Sequence, residues 1–439
     1  MTIWTGLGGL LGLIWLLRLL AMFLVYRRRQ VLGAAMPYSL PAPAPRLSVV
    51  VAAKDEEANI ETCVRSLMQQ DYPDFQLIAV NDRSDDRTPE ILDALKLEFH
   101  DKLQVIHVES LQEGWFGKNN AMREGIELAD GDWLCMTDAD CEFQSPRTLS
   151  LAVDHALERG SDFLSIAPIL ITKCWWERVL QPVCGAVLIV WFLPERVNSP
   201  KYKTAYANGA FMLMNRRCYE GIGGHAAFKT QVNEDIHMAK AAKLSGFNLR
   251  VVENDGLYTT RMYTSLRQAI RGWSRILYGS IASPIKLSIA ALVVIVFSVL
   301  PWVGFGFSLF SYLNQADGVP SWLRSTQVWG LACALQLGVM ALFYPILRIP
   351  AVWALTYPIG ALGAVGILFR AILQSLGAAT TTWRGTTYRG DQLESKHAAA
   401  PHAMAQRVVA PTTGHGESGS TAAVDDVVTS PADGGSGRL

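Results

Sequence analysis

The chain has 439 residues, and its 39 lysines and arginines are matched by 39 aspartates and glutamates. A net charge of zero gives no electrostatic footing for a nucleic-acid partner, and none is expected. Half the residues are hydrophobic and the mean hydropathy is +0.19, high for a freely soluble protein. The seven cysteines (63, 135, 141, 174, 184, 218 and 333) form no CxxC pair and no even framework, which fits a reducing compartment and small buried side chains.

The first element, within residues 1–30, is "IWTGLGGLLGLIWLLRLLAMFLVY" at 3–26, long enough to span ~30 Å of hydrocarbon. No basic residue precedes it and Arg27, Arg28 and Arg29 follow, the reverse of a secretory signal. The positive-inside rule places the N-terminus outside and residue 30 onward in the cytosol. Arg18 within the span must snorkel or face another helix.

Residues 45–260 then alternate strand and helix signals. "RLSVVVAA" (46–53), "FQLIAV" (75–80), "LQVIHV" (103–108) and "DWLCMTD" (132–138) read as strands. Helical spacing of Ile60, Val64, Leu67 and Met68 marks a helix over 56–70, and others are expected over 89–99 and 118–128. The alternation implies an α/β domain with a mostly parallel sheet, and unbroken apolar strands agree, because such sheets are covered on both faces. The apolar stretch 175–197 has two readings, an interfacial segment against a bilayer or a buried core helix.

Residues 261–282 form an interfacial helix carrying "RGWSR", and 283–376 hold three further candidate spans, at roughly 285–312, 327–347 and 351–376. One leading span plus three would put the C-terminus outside, yet the following segment, "TTWRGTTYRG", is basic and aromatic like a cytosolic interfacial stretch. Three resolutions stand: a re-entrant last stretch, a bend at Pro301, or an external tail. From 377 onward the chain reads as this basic segment and then a disordered tail.

In open α/β sheets ligands bind beyond the carboxyl ends of the strands. Polar residues gather there: Lys54, Asp55 and Glu56 after the first strand, Asn81 and Asp82 after the second, Asp138 and Asp140 after the fourth. In extended backbone Asp138 and Asp140 point to one side, and paired carboxylates with few other ligands suit Mg²⁺ or Mn²⁺, completed by water and phosphates. An ordinary acidic turn is the competing reading of the pair.

Seven motifs in order carry a resemblance: "LSVVVAAKDEE", "AVNDRSDDRT", "GWFGKNNAM", "TDAD", "ANGAFMLMNRRCYEGIGG", "NEDIHMAKAAKLSGFNLRVV" and "RMYTSLRQAIRGWSR". Over most of 45–280 the chain resembles the membrane-bound family 2 inverting glycosyltransferases, whose catalytic domain has the GT-A fold. Within that group it looks most like bacterial hopanoid- and carotenoid-associated enzymes. The resemblance implies a nucleotide-sugar donor, a lipid acceptor, and an inner (plasma) membrane protein with several spans and a cytosolic catalytic domain.

By that resemblance, Ala53, Glu56 and Asp82 line the nucleoside pocket of a UDP-sugar, Asp138 meets the nucleoside sugar or the metal, and Asp140 binds the metal. Gly209, between Asn208 and Ala210, lies near the donor sugar. Lys118, at an expected helix start, meets phosphate or is a surface lysine. Asp235 is the implied general base, with Glu234 its rival; His237 is a further ligand or a plain helix residue. Arg271, Trp273 and Arg275 occupy the place of the group's Gln/Arg-x-x-Arg-Trp element and imply contacts to acceptor or diphosphate. Their spacing departs from that element, which argues against processive polysaccharide synthesis. The segment Arg261, Met262, Tyr263 supports the site or merely packs. A scaffold that binds donor without turnover is the non-enzymatic alternative.

Overall fold

A computed structural model describes residues 2–314, 320–378, 381–383 and 386–388. The segment expected to be basic and then disordered, 377–439, lies almost wholly outside the described residues.

Helix α1 (Thr2–Arg28) leads directly into β1 (Val31–Gly33). The alternating elements follow: β2 (Leu47–Ala53), α2 (Ile60–Met68), β3 (Phe75–Asp82), α3 (Thr88–Phe99), β4 (Leu103–Val108), α4 (Gly117–Glu127) and β5 (Trp133–Asp138). Next come β6 (Cys141–Phe143), α5 (Thr148–Glu158), β7 (Phe163–Ala167), β8 (Ile169–Leu170), α6 (Trp175–Trp191) and α7 (Pro194–Val197). The domain closes with β9 (Phe211–Asn215), α8 (Arg216–Gly221), α9 (Gly224–Ala227), α10 (Glu234–Leu244), β10 (Leu249–Asp255) and β11 (Tyr258–Thr260).

The main sheet runs β1-β10-β7-β9-β5-β2-β3-β4, with β6-β11-β8 as a side sheet. Every neighbouring pair in the main sheet is parallel except those of β9, which is antiparallel to β5 and β7. Side chains alternate between two cores. Val49, Val51, Leu77 and Cys135 pack with α2, α3 and α5, while Val50, Ile78, Leu134 and Met136 pack with α4 and α10. Both faces are covered, so the strands read as continuous apolar runs and the α/β expectation holds. A Cβ on Gly125 would lie 2.5 Å from Val50 Cγ1, which is why α4 can lie so close to the sheet.

Register fixes the functional edge. Ala53 pairs with Asn81, Ala52 with Asp138, and Thr137 with Phe211. The carboxyl ends of β2, β3 and β5 therefore meet the incoming end of β9, just after Asn208 and Gly209.

Beyond the sheet, α11 (Leu266–Ile281), α12 (Pro284–Val294), a π-helical stretch (Ile295–Val299), α13 (Leu300–Leu313), α14 (Pro320–Ile346) and α15 (Tyr357–Ser375) pack with α1 and α6. Short strands β12 (Thr381–Trp383) and β13 (Thr386–Tyr388) pair antiparallel. Five stretches among the described residues are long and apolar enough to cross a membrane: Thr2–Arg28, Trp175–Val197, Pro284–Leu313, Ser321–Ile346 and Ala351–Ser375.

Topology limits which of them can cross. Strand β7 precedes Trp175–Val197 and β9 and β10 follow it in the same sheet, so both ends of α6 return to the domain. Pro284–Leu313 is one helical stretch of 30 residues, so the chain does not turn back at Pro301, one of the three resolutions open from sequence. Its π-helical stretch frees the Phe297 carbonyl, which accepts from Trp15 Nε1 (3.0 Å) and Gln336 Nε2 (2.8 Å). At one end of Ala351–Ser375, Arg348 is ion-paired with Asp255 of β10. At the other, Ser274 of α11 donates to Gln374 (2.7 Å), and Leu376 shares a concavity with Pro284. One end thus meets β10 of the domain and the other meets α11 and α12, contacts that a re-entrant last stretch would make. A reporter fused at the C-terminus should accordingly be found on the same side of the membrane as one inserted after Arg29. Protease protection in sealed vesicles checks this, and opposite sides would refute the threading.

Candidate active site

The site grows from the edge where β2, β3, β5 and β9 meet. Asp82, the last residue of β3, is 2% exposed. Its Oδ1 accepts from Arg83 Nε (2.8 Å), while Oδ2 is buried without a hydrogen-bond partner. A Cβ on Gly117 would stand 2.6 Å from that Oδ2, so the glycine leaves the face of the carboxylate open. Ala53 is buried at the end of β2. Glu56 is buried nearby, accepting from Asn59 Nδ2 (2.7 Å), with its own backbone N–H donating to Thr88 Oγ1 (2.8 Å).

Lys118, in the first turn of α4, is the hub. Its Nζ lies 2.7 Å from Asp138 Oδ1 at the end of β5 and 2.8 Å from Glu234 Oε1 at the start of α10. Burial opposes the charge, but the two carboxylates prevail and hold the ammonium well above the ordinary lysine range. The surface-lysine reading is thereby excluded: the side chain is 18% exposed and bridges two elements.

Asp235 stands beside Glu234. Its Oδ2 accepts from the backbone N–H of Gly209 (2.9 Å) and its Oδ1 from that of Ile236 (2.8 Å). Burial, then the neighbouring Glu234, push its carboxyl up to about 7, against the pull of Lys118 and the two N–H groups. A Cβ on Gly209 would meet Lys118 Nζ at 3.0 Å, Asp235 Oδ2 at 3.5 Å and Asp138 Oδ2 at 3.8 Å. Only glycine lets the backbone run between these charges. The turn before it is held by Asn208, whose Oδ1 accepts from Ala210 N–H (3.0 Å) and whose N–H donates to Ser165 Oγ (2.9 Å).

Two residues of this neighbourhood escaped the sequence reading. Asn233 Nδ2 donates to the Ile276 carbonyl (3.1 Å) and to Ser280 Oγ (3.0 Å), tying the acid-bearing turn of α10 to α11. Tyr206 accepts from Asn208 Nδ2 (3.3 Å), and burial followed by the Asp235 charge lifts its phenol to about 12. Asparagine preceding two acids was a usable signal; an isolated tyrosine was not.

Asp138 and Asp140 close the mouth from the β5–β6 turn. The first keeps Oδ2 beside its ion-paired Oδ1; the second flanks Cys141, whose thiol is buried against the Ala210 carbonyl (3.5 Å). Among the described residues no group of three or more His, Cys, Asp or Glu stands in a ligating arrangement. Two hard carboxylates without a third ligand fit Mg²⁺ or Mn²⁺ that draws its remaining ligands from water and a substrate. His237 lies half-buried further along α10.

The residues on α11 are dispersed. Arg271 is exposed and makes no ion pair among the described residues. Trp273 is 4% exposed in an apolar cluster with Trp176 and Leu180. Arg275 is half-buried beside Tyr263. Arg261 donates to the fully buried Glu177 (3.1 Å), a contact that anchors this loop to α6.

The family profile described as "Glycosyl transferase family 2" matches residues 48–223. The 4,4'-diaponeurosporenoate glycosyltransferase of Staphylococcus aureus (strain USA300) is 24% identical over 256 residues, which cover 57% of this chain and 64% of that enzyme. This chain thus matches just under two thirds of the curated relative's length. Among solved structures, the Pyrobaculum calidifontis mannosyltransferase in complex with GDP-Man and Mn²⁺ aligns with a TM-score of 0.49 at 16% identity, covering 85% of this chain and 99% of that one. Staphylococcus aureus TarS 1–349 in complex with UDP aligns with a TM-score of 0.37 at 19% identity, over 78% and 96%. The matched residues contain β3 to β5, β9, all but the first residue of β2, and the aspartates at their ends, and over residues 48–223 the chain carries a family 2 glycosyltransferase domain.

Proposed function

We propose that the chain is an inverting glycosyltransferase that moves a sugar from a UDP-linked donor to a hydroxyl or carboxyl of a membrane lipid. The observation that carries this reading is the convergence of Asp138, Lys118, Glu234 and Asp235 on the Gly209 backbone, at the mouth of a parallel sheet. The activity in the name of the Staphylococcus aureus relative supports a lipid-like acceptor, and the apolar helices support a membrane protein. The arginine run after α1 supports a cytosolic domain at the inner membrane.

Asp82, with its unpartnered Oδ2 open above Gly117, would accept from a uracil N–H, with Ala53 and Glu56 beside it. Asp138 and Asp140 would hold Mg²⁺ or Mn²⁺, which when bound neutralises the leaving diphosphate. Lys118 fixes Asp138 and Glu234 at a common distance and adds its charge on the diphosphate side. Glu234 is tied up in its ion pair with Lys118, which suits it less to act as the base. Asp235 makes no ion pair among the described residues, and burial has raised its proton affinity, which suits it to take a proton from the attacking group. Inversion follows when attack comes from the face opposite the diphosphate.

Asp235→Asn should lower transfer by about 10²–10⁴-fold with donor affinity retained, read with radiolabelled UDP-sugar and a bacterial lipid extract. Undiminished transfer would remove Asp235 from the chemistry. Because the base works ionised, activity should fall as pH drops through about 7 and level off above it. Lys118→Met removes a charge that holds the Asp235 carboxyl down, so this acid limb should move to higher pH, while UDP binding weakens; a pH–rate profile alongside calorimetry checks both. For Asp140→Asn the expected change is a rise of at least about tenfold in the Mn²⁺ concentration needed for UDP binding, and an unchanged titration would exclude it as a ligand.

A further inference from the structure

The first turn of α10 carries both acids Glu234 and Asp235, and the residue at its N-cap does not cap it. Asparagine in that place ordinarily accepts a first-turn N–H through its side chain. Asn233 makes no such bond. The N–H of Ile236 goes instead to Asp235 Oδ1 (2.8 Å), while Asp235 Oδ2 accepts from the N–H of Gly209 (2.9 Å). With each oxygen held by a backbone N–H, one of them in α10 itself, the Asp235 carboxylate moves with the turn that bears it.

Two helices hold the turn. From α4, Lys118 pairs with Glu234 (2.8 Å) and Asn119 Nδ2 donates to the Gln231 carbonyl (2.9 Å). Toward α11, Asn233 Nδ2 donates to the Ile276 carbonyl (3.1 Å) and to Ser280 Oγ (3.0 Å). Ile276, Gly279 and Ser280 share one face of α11, being three and four residues apart. Gly279 makes the room: a Cβ there would stand 2.9 Å from Asn233 Cγ and Nδ2 and 3.1 Å from its Oδ1, and these are its three nearest atoms. A carboxylate of the same shape would set an oxygen against the Ile276 carbonyl. α11 is itself seated among the apolar helices. Trp273, Leu277 and Ile281 share a buried cluster with residues of α6, α12 and α15, and Ser274 donates to Gln374 of α15 (2.7 Å). With α6 and α15, α11 also borders an apolar groove lined by Trp175, Leu180, Ile270 and Ile359.

We propose that Asn233 is a positioning residue for the transfer: it seats the Glu234–Asp235 turn from α11, so that the placement of the general base depends on the apolar helices. The proposal rests on the glycosyltransferase reading above. Asn233 forgoes the local cap that its residue type favours for partners 43 and 47 residues away. A residue serving α10 alone would accept from the N–H of Ile236 and leave α11 untouched. A shift of about 1 Å at the reacting groups costs about 10²-fold in rate, so an amide that holds this turn acts on turnover. Donor affinity is set elsewhere, for Ala53 and Asp82 of the nucleoside pocket end β2 and β3, and Glu56 follows β2.

The test is a double-mutant cycle on full-length protein in nanodiscs. Transfer is assayed with radiolabelled UDP-sugar and a bacterial lipid extract, UDP binding by calorimetry, and the turn by hydrogen exchange across residues 231–240. Asn233→Ala should lower kcat at least about tenfold while UDP affinity stays within about threefold, the split expected when placement in the transition state is lost. Gly279→Ala should do the same and quicken exchange, because its methyl displaces the amide; as a Gly-to-Ala change within a helix it does not impair folding of α11. Once Asn233 is alanine the methyl has nothing to displace, so the double variant should be no slower than Asn233→Ala alone. Wild-type turnover in Gly279→Ala, losses that multiply in the double variant, or a fall in UDP affinity that accounts for the whole loss would each overturn the positioning role. Quickened exchange in Gly279→Ala, in a protein whose wild type neither binds UDP nor consumes UDP-sugars, would leave the α10–α11 contact standing and refute glycosyl transfer.

Discussion

The rest of the site depends on one buried cation between two carboxylates. Lys118 reaches from α4 to the end of β5 and to the first turn of α10, and its ammonium is what allows Asp138 and Glu234 to stand near each other. Without a counter-charge, acids this close in a poorly solvated mouth would repel and take up protons. With it, one acid of the adjacent pair in α10 is held in an ion pair, while burial and that neighbour push the other, Asp235, up to about 7. Of the two neighbouring carboxyl groups Glu234 takes the ion pair, and Asp235 takes backbone N–H groups instead.

That arrangement is supported from behind. Asn233 spends its amide on α11, at a point where Gly279 lets the two elements approach closely. The acid-bearing turn is therefore attached to the helix that also borders the apolar groove. On the other side, Gly209 threads between the charges because it has no side chain, and Asn208 and Ser165 hold its turn in place. The domain itself is joined to the apolar helices by more than a linker. β1 continues α1 into the sheet beside β10, Arg29 donates to Glu253 (2.8 Å), and Arg348 is ion-paired with Asp255.

The apolar part is organised around its polar exceptions. Trp15 and Gln336 satisfy the carbonyl freed by the π-helical stretch, and Ser298 bonds Tyr357 (2.8 Å) where α15 begins. Each of these groups would be costly in hydrocarbon if left alone. Their pairing fixes how deep α15 starts, and Gln374 fixes where it ends. α15 is thereby held as a helix that returns toward the domain.

Alternation of apolar strands with amphipathic helices determined the α/β class from sequence, because a sheet covered on both faces needs continuous apolar strands and helices with one buried side. The polar residues at strand ends, among them Asp82, Asp138 and Asp140, were legible for the same reason: they mark where the apolar run stops. Tertiary structure alone decided that Lys118 of α4 bridges Asp138 of β5 and Glu234 of α10, the second partner more than a hundred residues away, and that Tyr206 stands near Asp235. It also decided that α6 returns to its own side. Hydropathy reports how apolar a segment is, whereas crossing depends on where the strands before and after it must pair.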